Sequence, residues 1–371
     1  LLGHPVSQSL SPLMHNAALR ALGLDWEYST LDTAPQDLVA TLERLESDPD
    51  VVGCNVTVPH KIAVHDWLVR NGREVGNWAS LAGAVNTLFR GPDGRFQGTS
   101  TDFQGAMTAI RTAVDACRPD FPWTMAEVAI LGTGGSAQTL AVGFAATEIE
   151  PSPRRIAIYG RNLDKARAVA DLAGGHARPG RELSVDTLEN WQAPSNRPRI
   201  VCQTTTVGMA TGESPDQSPV PHGTVSGVDV AFDLVYKPHV TRFLSDAFQN
   251  GALVVHGIDM LVGQGAQALV HWLEASAPDA VRDATVAGIC QAMEGALREK
   301  GVFWDGWRFA PPWPRAWRHR LAAVRRACSI PRASKPASCW GSPPDRSTVP
   351  TARARPTGSG CRPPIPMAST R

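Results

Sequence analysis

Residues 128–137 read Val-Ala-Ile-Leu-Gly-Thr-Gly-Gly-Ser-Ala, and this run decides the fold. Its four apolar residues predict a buried parallel strand, and its glycines predict a tight turn into a helix over 136–146. The run matches the pattern G-x-G-x-x-A, in which a dinucleotide pyrophosphate lies on the N–H groups at the helix start. A purely structural glycine turn is the alternative, but the flanking strand and helix favour a dinucleotide site. The residues expected to contact the dinucleotide here are Gly132, Gly134, Gly135, Ser136 and Ala137.

The chain of 371 residues is long enough for two domains, and its charge is unevenly distributed. Residues 301–371 carry 13 of the 36 Lys and Arg residues and 2 of the 35 acidic residues, a net charge of +11 against −10 for residues 1–300. This basic, proline-rich tail shows no helical or strand period, and we interpret it as disordered. Nucleic-acid binding through the tail is an alternative, but the tail has no regular basic stripe, so we expect no nucleic-acid partner.

The composition argues against several classes of protein. No apolar run reaches about 18 residues, which argues against a membrane span. The seven cysteines form no CxxC pair and no framework spacing, so we expect neither a disulfide scaffold nor a metal site. Because no signal peptide is recognised, we expect a cytoplasmic protein, a monomer or a homodimer, that acts on a small molecule.

The order of predicted elements indicates an α/β protein with two folded domains. Residues 1–103 alternate strand and helix, as in a parallel sheet covered by helices, and end in a hairpin around 91–94. Residues 104–256 contain the glycine turn and further strands, as in a doubly wound Rossmann-type domain. The helices of 257–300 are expected to return and pack on the first domain. We therefore predict a substrate domain at 1–103 with 257–300, a dinucleotide domain at 104–256 and a tail at 301–371.

Individual elements can also be assigned. Strands are predicted at 26–31, 51–56, 84–90, 95–99, 155–159, 200–203, 228–230 and 253–255. Residues 174–198 are rich in Gly, Pro and Arg, and no element is predicted there. A helix is predicted to begin with Ser11 as its N-cap and Pro12 at its first helical position.

The run at 54–61, C-N-V-T-V-P-H-K, delivers polar residues at a strand end, where ligands of α/β sheets bind. Its Lys61 is one of five lysines against 31 arginines, which suggests a need for a titratable amine that arginine cannot provide. Asp102, which follows the hairpin in the tripeptide Ser-Thr-Asp, could orient Lys61 and share its proton. The alternatives are a solvated lysine at a helix start and an aspartate that caps a helix.

The loop at 3–12 is rich in hydroxyl groups and precedes the first predicted helix. Ser9 and Ser11 could bind a substrate carboxylate at this helix N-terminus, because the helix dipole favours negative charge there. Capping of the helix is the alternative role for these serines.

The chain resembles the shikimate dehydrogenase family over residues 1 to about 298. The segments that carry the resemblance, in the family's order, are GHPVSQSLSPLMHN, NVTVPHK, GAVNT, STD, GTGGSA, VGM, DLVYKP and DMLVGQGAQ. Their joint match is highly specific, although no single segment is. The resemblance implies an oxidoreductase that reversibly reduces 3-dehydroshikimate to shikimate with NADPH, a step in the biosynthesis of chorismate and the aromatic amino acids.

The resemblance also implies a role for each candidate residue. Lys61 and Asp102 would form the acid–base pair, with Lys61 giving a proton to the carbonyl oxygen as hydride arrives. Substrate contacts would come from Ser9, Ser11 and Tyr236 at the carboxylate, and from Thr57, Asn86 and Gln264 at the ring hydroxyls. Further cofactor contacts would come from Thr205, Met209 and Gly257. Plain alternatives are a core aromatic role for Tyr236 and a polar helix position for Gln264.

The second strand of the dinucleotide domain distinguishes NADP from NAD. An NAD site places an acidic residue at the end of this strand, whereas an NADP site places an arginine there for the 2′-phosphate. Here the strand ends in Gly160-Arg161-Asn162, and no acid occurs before Asp164. We therefore expect NADP, with Arg161 at the 2′-phosphate, although the family pattern Asn-Arg-Thr is kept only in its arginine.

Two other functions stay open at this point. One is a quinate/shikimate dehydrogenase that uses NAD or NADP. The other is a catalytically silent paralogue that binds NADP and turns nothing over. The absence of an acid near Gly160 argues against NAD, and the presence of both Lys61 and Asp102 argues against a silent protein.

Overall fold

The chain begins with a small mixed sheet and its helices, in a computed structural model that describes residues 1–192, 199–221, 223–281 and 285–302. The strands are β1 (Leu2–Gly3), β2 (Leu31–Asp32), β3 (Gly53–Asn55), β4 (Thr87–Arg90) and β5 (Phe96–Thr99). The helices are α1 (Ser11–Ala21), α2 (Leu38–Ser47), α3 (Lys61–Arg70) and α4 (Asn77–Ala82). β1 pairs with β2 in parallel, and Leu2 forms a parallel bridge with Val56 just after β3. The predicted hairpin adds antiparallel pairs of β4 with β3 and with β5 in a sheet of three strands, so the N-terminal strands are mixed in direction.

A second sheet of six parallel strands follows. The strands are β6 (Glu127–Leu131), β7 (Arg155–Gly160), β8 (Glu182–Thr187), β9 (Arg199–Gln203), β10 (Val230–Asp233) and β11 (Leu253–Val255). The helices between them are α6 (Gly135–Ala146), α7 (Leu163–Gly174) and α8 (Arg242–Gln249), and α5 (Asp102–Cys117) leads into the sheet. The strand order β8-β7-β6-β9-β10-β11 is that of the doubly wound Rossmann fold, so the predicted fold class is confirmed.

The β6 strand is apolar throughout because both faces of the sheet are covered. Val128 and Ile130 point into one hydrophobic cluster, which includes residues of α5 and α6. Ala129 and Leu131 point into a different cluster, which includes Phe243 of α8. Successive side chains of a strand alternate between faces, so a strand buried on both sides needs an uninterrupted apolar run.

The last helices of the described chain are α9 (Gly257–Ser276), α10 (Pro278–Val281) and α11 (Val286–Glu299). Leu269 of α9 and Met293 of α11 lie fully buried in one cluster with Met14 of α1. Trp272 of α9 donates a hydrogen bond to the carbonyl of Leu88 in β4, at 2.8 Å. These helices therefore contact the N-terminal elements, whereas the exact domain boundaries stay a prediction.

Several predicted elements need correction. The strand predicted at 26–31 is reduced to β2. The Asn16 side chain accepts a hydrogen bond from the Tyr28 amide at 2.8 Å and donates one to the Tyr28 carbonyl at 2.9 Å, so Tyr28 does not pair with a strand. The strand predicted at 228–230 is β10, which starts at Val230, and β8 lies within the unassigned stretch 174–198.

The basic tail was predicted to be disordered, and apart from Gly301 and Val302 it lies outside the described residues. In the described ranges, no helix has the length and apolar character that crossing a membrane requires.

Candidate active site

A cavity of about 510 Å³ lies at the carboxyl ends of β1, β3, β9 and β10. Its walls also include the first residues of α3, α5, α6 and α9. The residues that sequence analysis singled out and that line it are Ser9, Ser11, Thr57, Lys61, Asn86, Asp102, Ser136, Thr205, Met209, Tyr236, Gly257 and Gln264. The structure thus brings together side chains that lie up to 255 positions apart in the chain.

Lys61 and Asp102 form a close ion pair in this cavity. Lys61 is the first residue of α3 and Asp102 is the first residue of α5, so each begins a helix that follows a strand after a short loop. The Lys61 Nζ atom donates to Asp102 Oδ2 at 2.5 Å, and the two side chains are only 12% and 4% exposed. Within the described chain Asp102 is the first helical residue of α5 and accepts no capping hydrogen bond, and only 12% of the Lys61 side chain is exposed. These observations favour the pair over both plain alternatives.

Ser136 connects this pair to the glycine turn. The Lys61 ammonium donates to Ser136 Oγ at 3.1 Å, and that hydroxyl donates to Asp102 Oδ2 at 3.4 Å. A Cβ atom at Gly135 would lie 3.1 Å from Lys61 Cβ, so the turn packs directly on the lysine. An ammonium carries three N–H donors. Two of them are used here, which leaves one for a group in the cavity.

Asn86 holds the Asp102 carboxylate from the other side. Its buried side-chain amide donates to Asp102 Oδ1 at 2.8 Å and lies 3.1 Å from Gln264 Oε1. The Asn86 Oδ1 atom accepts from the Thr101 amide at 3.0 Å and from the Thr87 hydroxyl at 2.8 Å. Every polar atom of Asn86 therefore has a partner, and the carboxylate is fixed before any ligand binds.

The cavity is also lined by the hydroxyl-bearing residues Ser9, Ser11 and Tyr236. Ser9 Oγ accepts from the Ser11 amide at 3.1 Å. Burial raises the pKa of Tyr236, and a hydrogen bond with the Ser9 side chain partly offsets this rise. The predicted N-cap is wrong: Ser11 is the first helical residue of α1, and Leu10 occupies the cap position without a side-chain hydrogen bond.

Two polar residues of this region were missed by sequence analysis. Tyr28 donates to Asn55 Oδ1 at 2.8 Å, and the Asn55 amide lies 3.2 Å from the Thr87 hydroxyl. Asn55 lies in the segment 54–61 together with Lys61, so its position at a strand end could have identified it as a candidate site residue. Tyr28 does not itself line the cavity, and it gave no signal because only the fold brings it to Asn55.

The glycine turn has the shape that a dinucleotide needs. Gly132 has a φ of +126°, and a Cβ atom there would lie 2.4 Å from Thr204 Oγ1, so only glycine fits. A Cβ atom at Gly134 would meet nothing within 4 Å, which leaves open space over the N-terminus of α6. Ala137 is buried in the first turn of this helix. The turn therefore fits a pyrophosphate on the helix N–H groups.

Three further candidates belong to loops and a helix start beside this turn. Thr205 and Met209 follow β9, and the Thr205 amide donates to Gln203 Oε1 at 2.5 Å. Gly257 begins α9, where a Cβ atom would lie 2.5 Å from the carbonyl oxygen of Leu234. A side chain at that position would displace the backbone after β10.

Arg161 lies outside the cavity, at the end of β7, and its side chain is exposed. Lys165, also exposed, lies one turn along α7 and was missed by sequence analysis. In the described part of the chain neither forms an ion pair, and the first acid, Asp164, pairs instead with Arg167 at 3.1 Å. Two unpaired cations at this strand end fit a phosphate monoester and disfavour a site for a bare ribose.

Comparisons with known proteins agree on one family. A family model described as the shikimate dehydrogenase substrate binding domain matches residues 1–88. The shikimate dehydrogenase (NADP(+)) of Synechocystis sp. is 35% identical over 291 residues, covering 76% of this chain and 93% of the relative. That of Methanothermobacter thermautotrophicus is 36% identical over 288 residues, covering 76% and 94%. The chain belongs to the shikimate dehydrogenase family.

Solved structures of this family share the fold. Shikimate 5-dehydrogenase from Thermus thermophilus, in complex with NADP(H) and shikimate, is 30% identical, with a TM-score of 0.61. The match covers 80% of this chain and 98% of that chain. The resemblance that the sequence segments suggested is thereby confirmed. The family model ends at residue 88, so it includes Lys61 and Asn86 but not Asp102 or the glycine turn.

Proposed function

We propose that this member of the family is an NADP-dependent shikimate dehydrogenase that reduces 3-dehydroshikimate to shikimate. The observation that carries the proposal is the 2.5 Å pair of Lys61 and Asp102, which touches Ser136 at the first turn of the dinucleotide helix. This contact supports a proton donor at Lys61 beside the segment proposed for the cofactor. A reduction of a carbonyl needs both a proton and a hydride.

NADPH, when bound, supplies the hydride. Lys61 gives one ammonium proton to the carbonyl oxygen, which becomes the oxygen of the new hydroxyl group. Asp102 keeps the lysine oriented before the transfer, and Asn86 fixes the carboxylate through its 2.8 Å hydrogen bond. In the reverse direction neutral Lys61 takes the hydroxyl proton back.

The same cavity supports recognition of the rest of the substrate. Ser9, Ser11 and Tyr236 hold the carboxylate through their hydroxyl groups. The residues that hydrogen-bond the ring hydroxyls are Thr57, Asn86 and Gln264. A site built to pair hydroxyl groups rejects analogues that lack them, because its own buried polar groups would lose their partners.

The glycine turn and the end of β7 would hold the cofactor. Gly132, Gly134, Gly135 and Ala137 permit the pyrophosphate to approach the start of α6. Arg161 holds the 2′-phosphate, and Lys165 adds a second positive charge there. The nicotinamide end is lined by Thr205, Met209 and Gly257.

The other functions fit less well. The named relatives are shikimate dehydrogenases of the NADP type, which favours shikimate over quinate and NADP over NAD. A silent paralogue would not need the interlocked Lys61, Asp102 and Asn86. From the sequence we further propose a cytoplasmic monomer or homodimer, with a substrate domain at 1–103 plus 257–300 and a cofactor domain at 104–256.

Product identification tests this proposal. The protein is incubated with 3-dehydroshikimate and NADPH, and the products are separated by chromatography and identified by mass. Shikimate should accumulate in step with the consumption of NADPH. Consumption of NADPH without shikimate, or binding of NADPH without consumption, would contradict the proposal.

A further inference from the structure

The cavity contains one lysine whose charge no described partner neutralises. Two lysines line it, and Lys61 is neutralised by Asp102. Lys237 is exposed, and its Nζ atom donates to the neutral Gln8 Oε1 at 2.6 Å. Within the described residues it forms no ion pair, although a second carboxylate, Glu213, also lines the cavity. The positive charge of Lys237 is therefore available in this cavity.

The position of Lys237 relates this charge to the hydroxyl groups. Lys237 follows Tyr236 in the chain, and Gln8 precedes Ser9. The hydrogen bond between Lys237 and Gln8 thus joins the two segments that deliver these hydroxyl groups, across 229 positions of sequence. Hydroxyl groups can donate to a carboxylate, but they cannot balance its charge.

The backbone around Lys237 is fixed on both sides. Its carbonyl oxygen accepts from the Ala210 amide at 2.9 Å. The buried Asp233 carboxylate, at the end of β10, accepts from the Val235 amide at 2.9 Å and from the Thr241 hydroxyl at 2.5 Å. The loop therefore presents the lysine from a defined place, and among the described residues its exposed side chain is held only by the hydrogen bond to Gln8.

We propose that Lys237 is the cation that recognises the substrate carboxylate, and that it leaves Gln8 to do so. The assignment rests on the proposed function, because it takes the carboxylate of shikimate as the group to be recognised. Residues 1–300 carry a net charge of −10, so a local cation also assists the approach of an anionic substrate. Lys237 is a specificity-determining residue and takes no part in proton transfer.

The test compares an acid with its neutral ester. Steady-state kinetics with NADP⁺ are measured for wild type, Lys237→Met and Lys237→Arg, with shikimate and with methyl shikimate as substrate or competitive inhibitor. Lys300→Met serves as the matched control, since Lys300 is an exposed lysine at the end of α11 that does not line the cavity.

Lys237→Met should raise the KM for shikimate about fivefold, the size expected of an exposed charge pair, with kcat unchanged. The KM or Ki for the methyl ester should not change in Lys237→Met. The KM of Lys237→Arg for shikimate should stay close to the wild-type value. Added salt should reduce the difference in KM between wild type and Lys237→Met. Equal losses for acid and ester, or no loss for the acid, would overturn the role of Lys237. Wild type without turnover of shikimate would instead overturn the proposed function itself.

Discussion

The two walls of the cavity are built on different principles. On the substrate wall, side chains hold one another: Lys61, Asp102, Asn86 and Ser136 are linked by hydrogen bonds of 2.5 to 3.4 Å, and Asn86 and Asp102 are almost completely buried. On the cofactor wall, the backbone of the glycine turn leaves open space, and beyond this wall, outside the cavity, Arg161 stands exposed at the end of β7. One wall is preorganised by a network, and the other by shape and unpaired charge.

This difference predicts how substitutions act. A network that is fully satisfied before the ligand binds fixes reacting groups, so its loss should lower kcat. Unpaired cations and open backbone gain their partners only when the cofactor binds, so their loss should raise KM or Kd. Substitutions on the two walls should therefore separate into two kinetic classes.

The largest effect is expected on the substrate wall, at Lys61. Lys61→Met removes the proton donor while keeping the length of the side chain, so kcat should fall by about 10³-fold. The Kd for NADPH, measured by fluorescence titration, should stay at the wild-type value because the turn is intact. Lys300→Met is the control, and a Lys61→Met enzyme with near wild-type turnover would remove Lys61 from the mechanism.

The next effect is expected at Asn86. Asn86→Ala takes the 2.8 Å donor from Asp102, so the carboxylate should lose its orientation and kcat should fall by about 10²-fold. The KM for NADP⁺ should not change. Asn250→Ala, which also loses one side-chain amide hydrogen bond, controls for stability, and thermal melting shows whether the variant is folded. A change confined to KM would place Asn86 in binding alone.

On the cofactor wall the effect should be smaller and of the other class. Arg161→Ala removes the exposed cation at the end of β7, so the KM for NADP⁺ should rise about tenfold while kinetics with NAD⁺ stay constant. Arg167→Ala is the matched control, because that arginine is exposed on α7 but already paired with Asp164. An equal loss with both cofactors would mean that Arg161 does not contact the 2′-phosphate.

The smallest effect concerns stability and pH. Burial raises the pKa of Asp233 from 3.8 to about 7, because Thr241 and Val235 compensate only part of the lost hydration. The folded protein then binds a proton that the unfolded chain has released, so this residue makes stability fall as pH rises between those two values and has no further effect above them.

In Asp233→Asn, the urea concentration at the midpoint of unfolding should therefore fall less between pH 5 and pH 7 than in the wild type. Asp171→Asn, at an exposed position of α7, should keep the wild-type slope. If both variants keep that slope, Asp233 is not protonated in the folded protein.

Much of this arrangement could be predicted from the sequence. The glycine run predicted the doubly wound sheet because a buried strand, a tight turn and a helix follow one another within it. Lys61 and Asp102 could be placed together because each follows a strand end. The family resemblance supplied the roles of the remaining candidates, which composition and spacing alone did not give.

What the sequence did not show depends on contacts between distant segments. The β8 strand was not predicted. Leu183 and Val185 alternate with polar neighbours, as in a strand, but the surrounding Gly, Pro and Arg residues indicated a loop. Ser136 was expected at the cofactor, whereas its hydroxyl lies between Lys61 and Asp102. No local pattern shows that Lys237 reaches Gln8, since only the fold brings the two loops together.

The most direct test of the account is the rate of absorbance change of reduced nicotinamide for the wild-type protein. Shikimate and quinate are each combined with NADP⁺ and with NAD⁺, and kcat/KM is measured for the four pairs. The account predicts the highest value for shikimate with NADP⁺. A higher value for quinate or for NAD⁺, or no absorbance change with any pair, would contradict it.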